Sequence, residues 1–253
     1  MEYFVKPGSI VRRIWGKSDT ILFIFAGSAA EFALNKAVDW LYFTGRLPAD
    51  PLGRLFSTVV YARKIIFSDT ENALKAIDQI TAIHTQVEAS RKAKIPDWAY
   101  RDVLFMLIDY SIRSFEVLER RLTDGEKAEI FDVFYRVGQR MGINGLPKLY
   151  PDWLSMRRGH LEQNMRNSRF TTDLYEQYQK HLGTIRYMLL KQVQLLIAPE
   201  RVKQMLPIGK YVYIKPLIVL YKLARFIRIS QFLKNAMLPT AYKPQILALD
   251  ING

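Results

Sequence analysis

Four side chains with chemistry to offer lie on two consecutive helical segments. The stretch from Asp50 to Val87, DPLGRLFSTVVYARKIIFSDTENALKAIDQITAIHTQV, reads as two helices joined by a short polar turn. Arg54, Thr58, Tyr61 and Ile65 follow one another at i, i+4, i+7 and i+11, so a guanidinium, a hydroxyl and a phenol line one face of the first helix. On the second, Ala73, Ile77, Ile80, His84 and Val87 share a face, which sets one imidazole on an otherwise apolar stripe. Such an imidazole has two readings. One is a packed histidine whose nitrogens meet a backbone carbonyl and a hydroxyl. The other is a metal ligand: a neutral imidazole on a rigid helix, kept from water by Ile and Val, is a donor that a haem iron takes on its proximal side. Arg54 and Thr58 likewise suit either a polar helix edge or a binding site. Pattern alone leaves both readings open.

The elements that must position these groups carry their own signals. Asp50 caps the first helix and Pro51 sits where proline is tolerated. Ser68-Asp69-Thr70 starts the second, with Glu71 placing negative charge in its first turn. Upstream, Ile21 to Phe25 is an apolar run ending at Ala26-Gly27. Glu31, Asn35, Lys36 and Asp39 interrupt it well before the roughly 20 apolar residues that a membrane span needs, so residues 20–47 read as a buried helix with its exit at Thr44-Gly45 and Pro48. Glu31 is expected there as a solvated first-turn carboxylate, the alternative being a base beside the pocket. Downstream, Ser90 to Lys94 is a basic, solvated turn. A long helix is expected from Asp97 to about Leu122, with Asp109 on its edge. Thr123 caps the next, which stops at Gly142-Ile143-Asn144-Gly145 before Pro147. Helix resumes at Pro151-Asp152-Trp153. His160 and His181, set among charged neighbours, are expected to be exposed.

The ordered set Asp50-Pro51, Arg54, Thr58, His84 and Val87 resembles the haem-binding core of the rubber-oxygenase family, which includes the latex-clearing proteins and the membrane-bound oxygenase of mycophenolic acid synthesis. The resemblance extends more loosely over residues 8–160, through Gly8, an Ala26-Gly27 turn and the Gly142…Leu146-Pro147 segment. It implies a globin-like helical core around haem b, with His84 as the iron ligand and Arg54, Thr58 and Tyr61 in the pocket. Arg54 would face the charged groups of the haem, and Arg54 and Thr58 would serve catalysis. It further implies that dioxygen and an apolar, unsaturated small molecule are the reactants. The chain departs from the family pattern at four places. Ser57 stands where latex-clearing proteins carry a lysine able to reach the iron, and Asn35-Lys36-Ala37 replaces an Ala-His-Pro run. Glu88-Ala89 follows the His-x-x-Val where a glycine is common, and Met106-Leu107-Ile108 replaces an aromatic-Val-His stretch. With Ser57 too short to reach, the distal position should be open.

Composition bounds the rest. The 253 residues are 49% hydrophobic, enough for a substantial core, and contain no cysteine, so thiolate ligation and disulfides are excluded. No His-Glu-x-x-His, nucleophile elbow, dinucleotide turn or phosphate loop appears. No export signal is apparent, so a cytoplasmic location is expected. Helical periodicity recurs throughout, and the expectation is one all-α domain over 1–253, a core at 1–160 with a helical extension at 161–253 packed on it. Within that extension, residues 217–238 combine Leu, Ile and Phe with Lys222, Arg225, Arg228 and Lys234. Such a helix either docks on the core or lies at an anionic membrane surface as a peripheral contact. Residues 236–253 read as a strap or tail. The net charge of +13 suits an acidic partner, while nucleic-acid signatures are lacking. Two further functions stay open from other classes: a non-catalytic basic helical protein that binds a membrane surface or acidic partner, and a haem carrier or sensor.

Overall fold

A computed structural model of the chain describes residues 2–45, 49–209 and 211–226, without the side chains of Leu52, Arg54, Leu55 and residues 223–226. The described residues form eleven helices, joined by loops that hold only two isolated bridges, Tyr3 to Asp69 and Asn35 to Met165. The all-α expectation holds.

The helix that the others surround is α2, Ser18–Leu34. It is apolar on every side, the pattern of a helix buried all round rather than one with a solvent face. Of its 17 residues, all but four are buried. Its first half lies in an apolar cluster with α1 (Ile10–Trp15), α6 (Asp97–Leu118), α7 (Asp124–Arg140) and α8 (Tyr150–Gln163). Its second half, from Ala29 to Leu34, lies in another with α9 (Arg169–Ile197) and α10 (Glu200–Met205). The Ala26-Gly27 pair is not a turn: the helix runs straight through it. A Cβ on Gly27 would come within 2.2 Å of the Tyr110 ring on α6, so glycine is there to let two buried helices approach.

The region read as one helix over residues 20–47 is broken. Asn35 leaves helical geometry with ψ 134°, and a short α3, Val38–Phe43, follows. The Asn35 side chain accepts from the Ala37 amide at 2.8 Å and donates to Asp102 at 2.7 Å, ending α2 while tying it to α6. The departure from the Ala-His-Pro pattern therefore has a structural role.

The hairpin of interest is α4, Pro51–Phe67, packed against α5, Thr70–Arg91. Both starts are as expected: Asp50 accepts from the Gly53 amide at 2.8 Å, and Asp69 from the Asn72 amide at 2.9 Å. Thr123 and Glu126 complete a reciprocal cap on α7, and Gly142, at φ +72°, lies just past its end. Within α9, Gly183 breaks helical geometry, so a second helical piece runs from about residue 184 to Ile197. The helix expected at 217–238 begins at Lys215 and is described to Phe226 as α11; Arg228, Lys234 and residues 236–253 lie outside the described residues, as does the Arg225 side chain.

Candidate cofactor site

The hairpin carries both ends of the expected site, of which only His84 among the described side chains lines a groove. Arg54 and His84 lie 15 residues on either side of Asp69, and Thr58 and Ile80 lie 11 on either side. Antiparallel helices of equal rise, about 1.5 Å per residue, therefore place Arg54 level with His84, and Thr58 level with Ile80. Thr58 and Tyr61 are half-buried, and the Lys64 ammonium lies 5.9 Å from the Tyr61 ring centre. The side chain of Arg54 lies outside the described residues.

The apolar stripe that carries His84 thins toward it. Ala73 and Ile77 are fully buried, whereas Ile80, His84 and Val87 are half-buried and Ile83 is exposed. The imidazole borders a groove of about 360 Å³ formed by Thr81, Thr85 and Glu88 of α5, Lys94 to Tyr100, and the loop after α7. The Tyr100 ring meets the His84 ring edge-on, with centres 5.2 Å apart. Tyr100 donates its hydroxyl to Glu88 at 3.2 Å, and Glu88 also accepts from the Ile95 amide at 2.9 Å and pairs with Lys94 at 3.1 Å. Burial works against ionisation of Glu88, yet the Ile95 amide, Lys94 and Tyr100 together hold its carboxyl below the ordinary range. Burial and then the Glu88 charge push the Tyr100 phenol upward, so it stays a protonated donor at neutral pH. Glu88, where the family pattern prefers glycine, thus anchors the residue that packs on His84.

The donor set suits a porphyrin-bound iron better than a bare ion. No group of three His, Asp or Glu side chains among the described residues could hold a metal alone. An iron porphyrin brings four nitrogens of its own and would ask the protein for one imidazole, for which His84 is the candidate, and for cations near its carboxylates, for which Lys94 at the groove rim, paired with Glu88, is a candidate.

Two buried polar clusters lie elsewhere, and the sequence reading missed both. Glu31 is 0% exposed rather than solvated, and Arg157 is 4% exposed. Both terminal nitrogens of the Arg157 guanidinium, Nη1 and Nη2, reach the Glu31 carboxylate, Nη2 at 2.6 Å, and Nη2 also donates to Asp109 at 3.0 Å. Asp109 is buried at 8% exposure, not set on a helix edge, and takes a second cation, Arg113, at 2.7 Å. Tyr110 donates to Glu31 at 3.0 Å, and burial followed by the Glu31 charge drives its phenol far above the ordinary value. Burial opposes the Arg157 charge, but Glu31 and Asp109 outweigh it and hold the guanidinium firmly protonated. His160 is likewise not exposed in polar surroundings: Nδ1 meets Asp102, which is 1% exposed and also accepts from Asn35 and Asn164. An acid on a helix with no solvent face was the one available signal for Glu31; nothing local marked Arg157 as its partner.

The structure thus places His84, Thr58 and Tyr61 on one hairpin, and Glu31 within a separate ionic cluster of α2, α6 and α8. No helix among the described residues is long and apolar enough to cross a membrane. No individual curated protein and no solved structure matches the chain. The profile of the family described as ER-bound oxygenase mpaB/B′/Rubber oxygenase, catalytic domain, matches residues 13–230. That span takes in α2 to α11, the hairpin and both buried clusters, and the chain belongs to this family of oxygenase catalytic domains.

Proposed function

We propose that the protein is a haem b-dependent oxygenase that uses dioxygen to oxidise an apolar, unsaturated small molecule, with helices arranged around the haem in a globin-like manner. The observation that carries the reading is a half-buried His84 level with Arg54, and one turn from the level of Thr58, across one hairpin in a chain of an oxygenase family. In this reading His84 would hold the iron, and Arg54, Thr58 and Tyr61 would line the pocket. When bound, the haem supplies the redox chemistry toward dioxygen.

The residues of the chain have defined tasks in this scheme. The edge of Tyr100 fixes the plane of the His84 ring, and Glu88 fixes Tyr100. The guanidinium of Arg54 is assigned to the carboxylates of the macrocycle, a planar fork suited to them. The hydroxyl of Thr58 offers one donor beside the reacting face. Ser57, unlike a lysine, would be too short to act as an iron ligand, so it would not compete with a small reactant.

The test is an absorption spectrum of full-length protein purified with haem supplied, beside His84→Ala and Thr58→Val. A Soret band that is lost or reshaped in His84→Ala and kept in Thr58→Val supports the reading. A colourless wild type that takes up no haem sinks it. Oxygen uptake with unsaturated lipophilic compounds then separates an oxygenase from a haem carrier, which would show the same colour and no consumption.

A further inference from the structure

The charge of this chain is segregated. Between residues 177 and 249 there are twelve lysines and arginines and a single acid, Glu200, so this stretch carries eleven of the thirteen net positive charges. The rest of the chain is close to neutral. Charge collected in this way along the sequence suits an anionic partner.

The same stretch exposes apolar side chains that a monomer in water has no reason to show. Helix α11 docks through Ile218, buried at 9%, and Tyr221, whose hydroxyl donates to Asp19 at 3.0 Å, with Ile214 just before it buried at 7%. Those positions fall at i, i+4 and i+7 and account for one face. The remaining faces are not polar: Leu217, Val219 and Leu220 are 43%, 59% and 60% exposed. The helix is neither of the two simple forms expected for it, since it docks by one apolar face and presents another to solvent. Just before it, Tyr211 and Tyr213 are 70% and 73% exposed. Both are pinned to α9 by Gln192, which donates to the Tyr211 carbonyl at 3.2 Å and accepts from the Tyr213 amide at 2.6 Å. Met188 and Ile185 lie one and two turns from Gln192 along the same helix face and are 58% and 77% exposed. Lys215 and Lys180 are exposed in the same elements, and Lys222 is half-buried.

We propose that this surface, built by α11, the 211–213 segment and the outer face of α9, is a peripheral docking site for an anionic lipid bilayer. Aliphatic groups that enter the acyl boundary, phenols whose rings and hydroxyls suit the headgroup layer, and lysines beside them are the features an interfacial surface combines. A nucleic acid would use the cations but has no use for exposed Leu, Val, Met and Ile. The proposal stands apart from the haem reading, because none of its residues touches the His84 groove.

The test is co-sedimentation of the full-length protein with vesicles of phosphatidylcholine alone and of equimolar phosphatidylcholine and phosphatidylserine, at low and high salt. Binding is expected to the anionic vesicles only and to weaken with salt. The double variant Val219→Ser/Leu220→Ser should lower the partition coefficient by about tenfold or more, since two exposed aliphatic side chains lose their transfer into lipid. Lys215→Gln should lower it by a smaller factor, about fivefold, and only at low salt. Circular dichroism of each variant should match wild type, as the replaced groups point to water. Three outcomes overturn the proposal. The first is no binding to anionic vesicles, or binding that ignores the double variant. The second is self-association on size exclusion that the double variant abolishes while vesicle binding is absent, which makes the surface an interface between copies. The third is binding to heparin or RNA in place of vesicles, unchanged by the double variant.

Discussion

The ionic cluster of α2, α6 and α8 and the α4–α5 hairpin treat polar groups in opposite ways. In the cluster, Glu31, Asp109 and Arg157 are withdrawn from water and meet each other, Arg113 and Tyr110 within 3.2 Å. In the hairpin, His84, Thr58 and Tyr61 stay half-buried, and His84 borders a groove. Charges removed from water must be matched on the spot, so a buried ion pair locks helices together and leaves little room for a ligand. Groups meant to meet a ligand must keep access. On the proposed reading the chain holds its architecture with one set of polar residues and offers chemistry with another, and the two sets should respond differently to substitution.

The largest effect on stability is expected at Arg157. Arg157→Met leaves Glu31 and Asp109 buried and short of a cation, and should lower the unfolding free energy by about 3–5 kcal/mol in urea titrations. Adding Glu31→Gln should restore part of that loss, because the second change removes a stranded charge; a double variant no better than the single would mean that Arg157 acts by packing rather than by charge. Next comes Gly27→Ala, where a methyl would press on the Tyr110 ring; about 1–3 kcal/mol should be lost, read as a lower thermal midpoint.

A smaller effect should appear only in acid. Arg120, with the Thr123 amide, holds Glu126 down to about 2 from its ordinary 4.5. A lowered acid contributes stability above its unfolded value, and the contribution disappears as pH falls from about 4.5 toward about 2. Glu126→Gln should therefore flatten the stability curve in that window, by less than about 1 kcal/mol because the pair sits near the surface. The smallest effect on stability belongs to the hairpin. His84→Ala should leave the urea midpoint within about 1 kcal/mol of wild type while abolishing haem uptake measured by absorption. A strongly destabilised His84→Ala would dissolve the contrast and make this histidine part of the scaffold.

The exposed, half-exposed and buried parts of the chain differed in how legible they were. Helix starts at Asp50, Asp69 and Thr123 were readable because capping is local: a carboxylate or hydroxyl answers amides two or three residues on. The Gly142 stop was readable for the same reason, since it depends on one residue's backbone. The helix from Asp97 ended at Leu118, short of the expected 122, since four residues at a frayed end are decided by packing rather than by pattern. At Ala26-Gly27 the small pair suggested a turn, but glycine served a close crossing with Tyr110, and that partner lies more than 80 residues away.

By itself, the sequence determined the all-α character, the hairpin and its caps, the equal spacing of Arg54 and His84 about Asp69, and the segregation of positive charge into the last third. All of these follow from periodicity, capping chemistry or counting, which act over a few residues. Tertiary structure alone decided which charges are buried and with whom. Glu31 and Arg157 are 126 residues apart, and Asp102 and His160 are 58 apart. A carboxylate on one helix carries no mark of the cation that will face it from another. That pairing exists only once α2, α6 and α8 have packed and water has been excluded between them.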